Sequence, residues 1–176
     1  DAGELIVCAE ARCHGNNMRS RQPGWKGRYC EVALALWTAH APAWFAPRLP
    51  AMQSTCEEVA IAADRRGLDR VLLISIAWEE SRFRYVESDA DALGPLQALP
   101  SLWCPNGTPA RCDLVEAGLD AFEAWSERFN GHRFETACHY NGGNVCGRRS
   151  IAYADRVLDR YQALLDELVG CHPCGC

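Results

Sequence analysis

Apolar residues recur along most of the chain at spacings of three and four, the pattern of amphipathic helices, and alternation of apolar with polar positions never persists beyond a few residues. From about Thr55, Val59, Ala60 and Ala63 share one helical face, and Gly67 stops that helix because glycine tolerates the positive φ of a helix C-terminus. Asp69 is placed to cap a second helix, Arg70 to Arg84, whose Val71, Leu72, Leu73, Ile74, Ile76, Ala77 and Trp78 leave almost no polar relief. A central strand competes for this run, but buried strands usually end within about eight residues, so its length favours a helix buried on most sides. Asp113 caps a third helix with Leu114, Ala117, Ala121, Phe122, Trp125 and Phe129 at helical spacing, closed by Asn130 and Gly131. A short helix follows from Phe134 to Tyr140, and the last one, about Ser150 to Val169, is expected to bury Val157, Leu158, Tyr161, Leu165 and Leu168.

Before Thr55 the periodicity breaks up. Gly15, Pro23, Gly24, Gly27, Pro42, Pro47 and Pro50 punctuate the segment, with one helix expected from Glu31 to His40. Residues 1–54 therefore read as an irregular extension packed on a helical domain, 55–169, followed by a cysteine-rich tail, 170–176. The stretch Glu87 to Pro109, with Gly94, Pro95, Pro100, Pro105 and Gly107, is expected to be mostly loop. At 176 residues one domain is the natural size, and 48% hydrophobic with 23% charged residues excludes a disordered chain. No apolar stretch approaches the roughly 18 residues of a membrane span. The net charge of −5 disfavours nucleic acid as a partner, and the acid-free run of Arg12, Arg19, Arg21, Lys26 and Arg28 reads as a solvated arm. Eleven cysteines, in a chain that opens on Asp1, are expected of a processed product from an oxidising compartment. Their odd number leaves at least one thiol free or joined to another chain.

The chemistry concentrates in Trp78-Glu79-Glu80-Ser81, at the end of the most apolar helix. A carboxyl group held against Ile76 and Leu72, one and two turns back, loses hydration when ionised, so it keeps its proton toward neutral pH and suits general-acid catalysis. Against this stands the reading that both glutamates lie where the helix emerges into solvent. Helical geometry does not choose between Glu79 and Glu80.

A set of motifs then aligns along the chain. Ala63 to Asp69, Leu72 to Phe83 with Glu80-Ser81-Arg82-Phe83, Gly94-Pro95-Leu96-Gln97-Ala98-Leu99-Pro100, Arg128-Phe129-Asn130-Gly131, His139-Tyr140-Asn141-Gly142-Gly143 and Tyr153-Ala154-Asp155-Arg156-Val157-Leu158 follow in order. Together they resemble the lytic transglycosylases of the soluble type, a family with the lysozyme-like fold, over roughly Cys56 to Leu165. That family pairs Glu-Ser with a nearby aromatic, a Gly-Leu-Met-Gln turn, an Arg-Phe-Gly-Gly helix end, Ala-Tyr-Asn-Ala-Gly and a closing Tyr-Val-x-x-Val-Leu helix. The resemblance implies that Glu80 is the catalytic acid and Glu79 a solvated or salt-bridged neighbour. It implies that Ser81 and Gln97 line the cleft and bond the sugar or its N-acetyl group, that Tyr140 directs its phenol at the reacting centre, and that Asn141 shapes the segment holding it. It further implies peptidoglycan strands as substrate, a 1,6-anhydro product, and no cofactor or metal. Two departures bear on Gln97: Pro95-Leu96 replaces Leu-Met, and the interval from Glu80 is about one residue short of the family's. His139 stands where the family has a small residue.

Glycosidases that hydrolyse usually need a second carboxylate, and Asp89 or Asp91 would supply it in a goose-type lysozyme. A third reading is a non-catalytic glycan-binding component of a phage particle or envelope assembly, joined through the N-terminal extension or the tail. An intact Glu80, Gln97 and Tyr140 argues against it, since a binder needs no acid. Either way the location expected is extracytoplasmic or on a virion. Cys171-His172-Pro173-Cys174-Gly175-Cys176 offers soft metal ligands, yet four within six residues hardly wrap one tetrahedral ion, and disulfides are the simpler account. Three pairs are expected: Cys104 with Cys112 beside the Gln97 segment, Cys138 with Cys146 around Tyr140 and Asn141, and Cys30 with Cys56 tying the extension down. The odd thiol is expected among Cys171, Cys174 and Cys176.

Overall fold

The computed structural model describes residues 25–169, with side chains from residue 28 onward. Its helices are α1 Trp25–Thr38, α2 Leu49–Arg65, α3 Arg70–Ser81, α4 Pro100–Trp103, α5 Leu114–Arg128, α6 Arg133–Gly142 and α7 Arg148–Val169, with 3-10 turns at Ala43–Arg48 and Pro105–Gly107. Among the described residues β pairing is limited to two isolated bridges, Glu87 with Leu93 and Leu93 with Ala98, and the fold is mainly α. No described helix is long and apolar enough to cross a membrane.

Helix α3 is the central strut. The Asp69 carboxylate accepts from the Leu72 N–H at 3.2 Å, and every residue from Val71 to Trp78 is buried. Ser75, the one hydroxyl in that run, donates to the Val71 carbonyl one turn back at 2.9 Å. Helices α2 and α7 pack against α3, α6 runs along α7, and α5 closes on α6 and α2. Each leucine or isoleucine buried this way contributes about 1.5–3 kcal/mol. The helix ends at Ser81, short of the expected Arg84, because Arg82 and Phe83 both turn to positive φ, 57° and 55°. That turn tucks Phe83, 1% exposed, back under the helix against Trp78 and Trp37.

The segment before Thr55 is more regular than its prolines and glycines imply. Helix α1 starts at Trp25, six residues before Glu31, with Gly27 inside it, and packs on α2, α3 and α7. Helix α2 starts at Leu49, so the boundary drawn between 54 and 55 falls within it; Pro50 sits in the first turn, where a missing N–H leaves no bond unmade. Gly67, at φ 68°, ends α2 as expected. In the 87–109 loop a short α4 and a 3-10 turn are the only regular pieces. The Asp113 carboxylate caps α5 by accepting from Val115 and Glu116 N–H at 3.0 and 3.1 Å. Helix α7 buries Ser150, Tyr153, Ala154, Val157 and Leu164, while Leu158, Tyr161, Leu165 and Leu168 are only half-buried at its flanks. Its contact face is rotated from the expected one because it meets α1, α3 and α6 together.

The three expected disulfides form: Cys30–Cys56, Cys104–Cys112 and Cys138–Cys146, with Cα separations of 5.8, 5.4 and 5.5 Å. The basic run through Arg21 and the Cys171–Cys176 tail, with the odd thiol and the soft ligands considered there, lie outside the described residues.

Candidate active site

The end of α3 delivers two adjacent carboxyl groups into different surroundings. Glu79 turns to α7, where Arg156 Nε donates to its Oε2 at 2.9 Å and Arg160 Nε to its Oε1 at 2.5 Å, with Arg82 Nη1 at 3.7 Å. Burial of this carboxyl, whose side chain is 3% exposed, opposes ionisation, but the two hydrogen-bonded arginines outweigh it and hold the group below the usual carboxylate range.

Glu80 has no such cations among its partners. Burial pushes its carboxyl up to about 7, the Tyr153 hydroxyl pulls it part of the way back, and the charge on Glu79 adds to the rise. The residue keeps some surface while its carboxyl is enclosed by protein, so the acid stays protonated up to about neutral pH within reach of solvent. Tyr153, on the buried face of α7, presents its hydroxyl toward Glu80 without completing a hydrogen bond of normal geometry to any protein group. Tyr140 also lies within the field of Glu80, and burial together with that charge pushes both phenols up.

The residues expected to surround the acid divide. The Tyr140 hydroxyl is committed: it donates to the Leu96 carbonyl at 2.6 Å, with the Gly118 carbonyl at 3.4 Å, and so it braces the 94–98 turn rather than standing free at a reacting centre. Ser81 is buried. Its hydroxyl donates to the Pro95 carbonyl at 2.8 Å and accepts from the Arg84 N–H at 3.0 Å, pinning the same turn to the end of α3. Gln97, at φ 50°, spends both amide hydrogens on the Val86 and Gly94 carbonyls, each at 2.9 Å. Its Oε1 accepts nothing from the described residues and is the free end of this side chain. Asn141 is exposed and makes no side-chain hydrogen bond among the described residues, and Cys138–Cys146 brackets the Tyr140 segment. Gly118 lets the turn lie flat on α5, since a methyl group there would overlap the Leu96 side chain.

Asp89 and Asp91 sit exposed on a tight turn closed by Asp91 N–H to the Ser88 carbonyl at 3.0 Å, with Asp91 at φ 60°. Neither takes part in a hydrogen bond through its carboxylate or in an ion pair among the described residues. His139 packs against both Trp125 and Phe129, at 5.6 and 4.4 Å between ring centres, and its Nδ1 bonds the Gly143 carbonyl at 2.7 Å. Glu135, His139 and Cys146 bring ligand atoms within 4.8 Å of one another, but the Cys146 sulfur belongs to a disulfide and is no thiolate ligand. A groove of about 420 Å³ opens at the other end of α6, between Phe134, Leu158 and Tyr161, and none of the expected site residues lines it.

Tyr153 is the residue that reading the sequence for site residues passes over. It is visible there only as the first position of a core helix motif, and no local signal announces that its hydroxyl faces an acid on another helix. No protein-family model, curated protein or solved structure matches this chain.

Proposed function

We propose that the chain is a peptidoglycan lytic transglycosylase with a lysozyme-like fold, acting outside the cytoplasm, with Glu80 as its single general acid and base. The observation that carries this reading is the enclosed Glu80 carboxyl at the end of a buried helix, pushed up to about 7 by desolvation, with the Tyr153 hydroxyl facing it. The ordered motifs from Ala63 to Leu158 supply the substrate class, and three disulfides support an oxidising compartment.

In this mechanism Glu80 protonates the bridging oxygen between N-acetylmuramic acid and N-acetylglucosamine as the glycosidic bond breaks. The substrate's own N-acetyl oxygen stabilises the positive charge left on the anomeric carbon. Ionised Glu80 then takes the proton from the C6 hydroxyl of the same sugar, whose oxygen closes on the anomeric carbon to give the 1,6-anhydro ring and restores the acid. No water is consumed. The Gln97 Oε1 and the exposed Asn141 amide are the groups left to meet the glycan, while Ser81 and Tyr140 hold the 94–98 turn beside it. Mass analysis of purified peptidoglycan after digestion tests the reading. Anhydro ends are the expected product, one water lighter than hydrolytic ends; reducing ends alone would assign a hydrolase, and an undigested wall would remove the enzymatic reading.

A further inference from the structure

The ion cluster around Glu79 has no part in the chemistry above, yet it touches the acid's immediate neighbour. Three guanidinium groups, from Arg82, Arg156 and Arg160, converge on one carboxylate whose side chain is 3% exposed. Arg160 lies over the rings of Trp37 and Trp78 at 5.5 and 5.6 Å, and Arg82 over Trp78 at 5.1 Å, so aromatic walls from α1 and α3 hold the cations in place. On α7, Tyr153, Arg156 and Arg160 are spaced i, i+3 and i+7, which puts them along one side of the helix. The helix side that grips Glu79 therefore also carries the hydroxyl that meets Glu80.

We propose that Glu79 is a positioning residue for Glu80. Its bonds to Arg156 and Arg160 tie α3 to α7, and by offsetting the arginine charge it keeps those cations from drawing off the acid's proton. The groups that face Glu80 are Tyr153 from α7, Tyr140 from α6 and Glu79 from its own helix, with the three arginines behind Glu79. The inference rests on Glu80 being the acid of the proposed reaction.

The test is a carbon NMR titration of the Glu80 carboxyl in the full chain, assigned with Glu80→Gln, beside the pH profile of wall cleavage. In Glu79→Gln the arginines are left without their counter-charge, and the Glu80 midpoint and the basic limb of activity are expected to fall by about one pH unit. In Arg156→Gln one cation is lost from a side chain 54% exposed, with the Arg160 bond to Glu79 left in place, and the midpoint is expected to rise. Opposite shifts support the proposal. An unmoved midpoint, or shifts in the same direction, overturns it. Should Glu79→Gln fail to fold, the upward shift in Arg156→Gln decides alone. A wild type that leaves walls intact defeats the functional reading, while the titration still decides the role of Glu79.

Discussion

Glu79 and Glu80 leave α3 one residue apart, the first toward the arginines of α7 and the second toward the tyrosines of α6 and α7. Both carboxyl groups are buried, so desolvation acts on each in the same direction. What separates them is whether partners that prefer the ionised form stand within hydrogen-bond distance. Arg156 and Arg160 do so for Glu79, and Glu80 has only a phenol that approaches without bonding fully. The same backbone turn thus delivers one carboxyl held below the usual range and one pushed above it, the separation that the proposed acid catalysis calls for.

The largest expected consequence of that contrast lies in activity. Glu80→Gln should reduce wall cleavage by about a thousandfold or more, measured by the turbidity of purified walls, with an unchanged circular dichroism spectrum. The amide keeps the shape and has no proton to give. Substantial residual turnover would move the acid's role elsewhere.

Stability against pH sharpens the contrast next. Glu80 has a folded pKa of about 7, above its unfolded value, so the folded state binds more protons in the interval between them. Its contribution is fully present below the unfolded value and is lost as pH rises through about 7, on the order of 3 kcal/mol in total. Glu79 works in the opposite sense. Its folded pKa is lowered, so its stabilisation is present above the unfolded value and fades as pH falls through the folded one. Urea midpoints measured across pH should therefore lose their decline toward neutral pH in Glu80→Gln and lose part of their acid-side decline in Glu79→Gln. Identical profiles for the two variants would erase the distinction.

A smaller effect is expected from Tyr153→Phe. Removing a hydroxyl that faces Glu80 and makes no hydrogen bond of normal geometry should change stability by about 1 kcal/mol or less below pH 5, where Glu80 is neutral. The basic limb of cleavage should move upward, because the hydroxyl favours the ionised acid. A loss of more than about 2 kcal/mol by thermal melting would mean that the hydroxyl is bonded after all. Asp89→Asn and Asp91→Asn should have the least effect, leaving cleavage within about twofold, since both side chains lie on an exposed turn. A large loss in either would give the reaction a second carboxylate and make it hydrolytic.

Much of the helical layout is legible in the residues. Asp69, Asp113, Gly67 and Asn130-Gly131 mark helix boundaries through local hydrogen bonds and local φ, and local rules apply wherever the chain ends up. Gly27 weakens helix formation in isolation, a penalty that packing of α1 on α2, α3 and α7 outweighs, and Pro50 marks the start of α2, where proline is well tolerated, instead of a break. The site was less legible. Ser81 and Gln97 carry polar groups suited to a sugar, and their actual partners, the Pro95, Val86 and Gly94 carbonyls, become visible only when the 82–98 segment folds back on α3.

By itself, then, the sequence determined a helical chain with an acid at the end of its most apolar helix and three pairable sets of cysteines, because periodicity, capping and short separations are local properties. The tertiary structure decided which of two adjacent glutamates keeps its proton. That choice depends on Arg156, Arg160 and Tyr153, more than seventy residues further along the chain, and a charge buried in a protein answers to whatever the fold brings within a few ångströms of it.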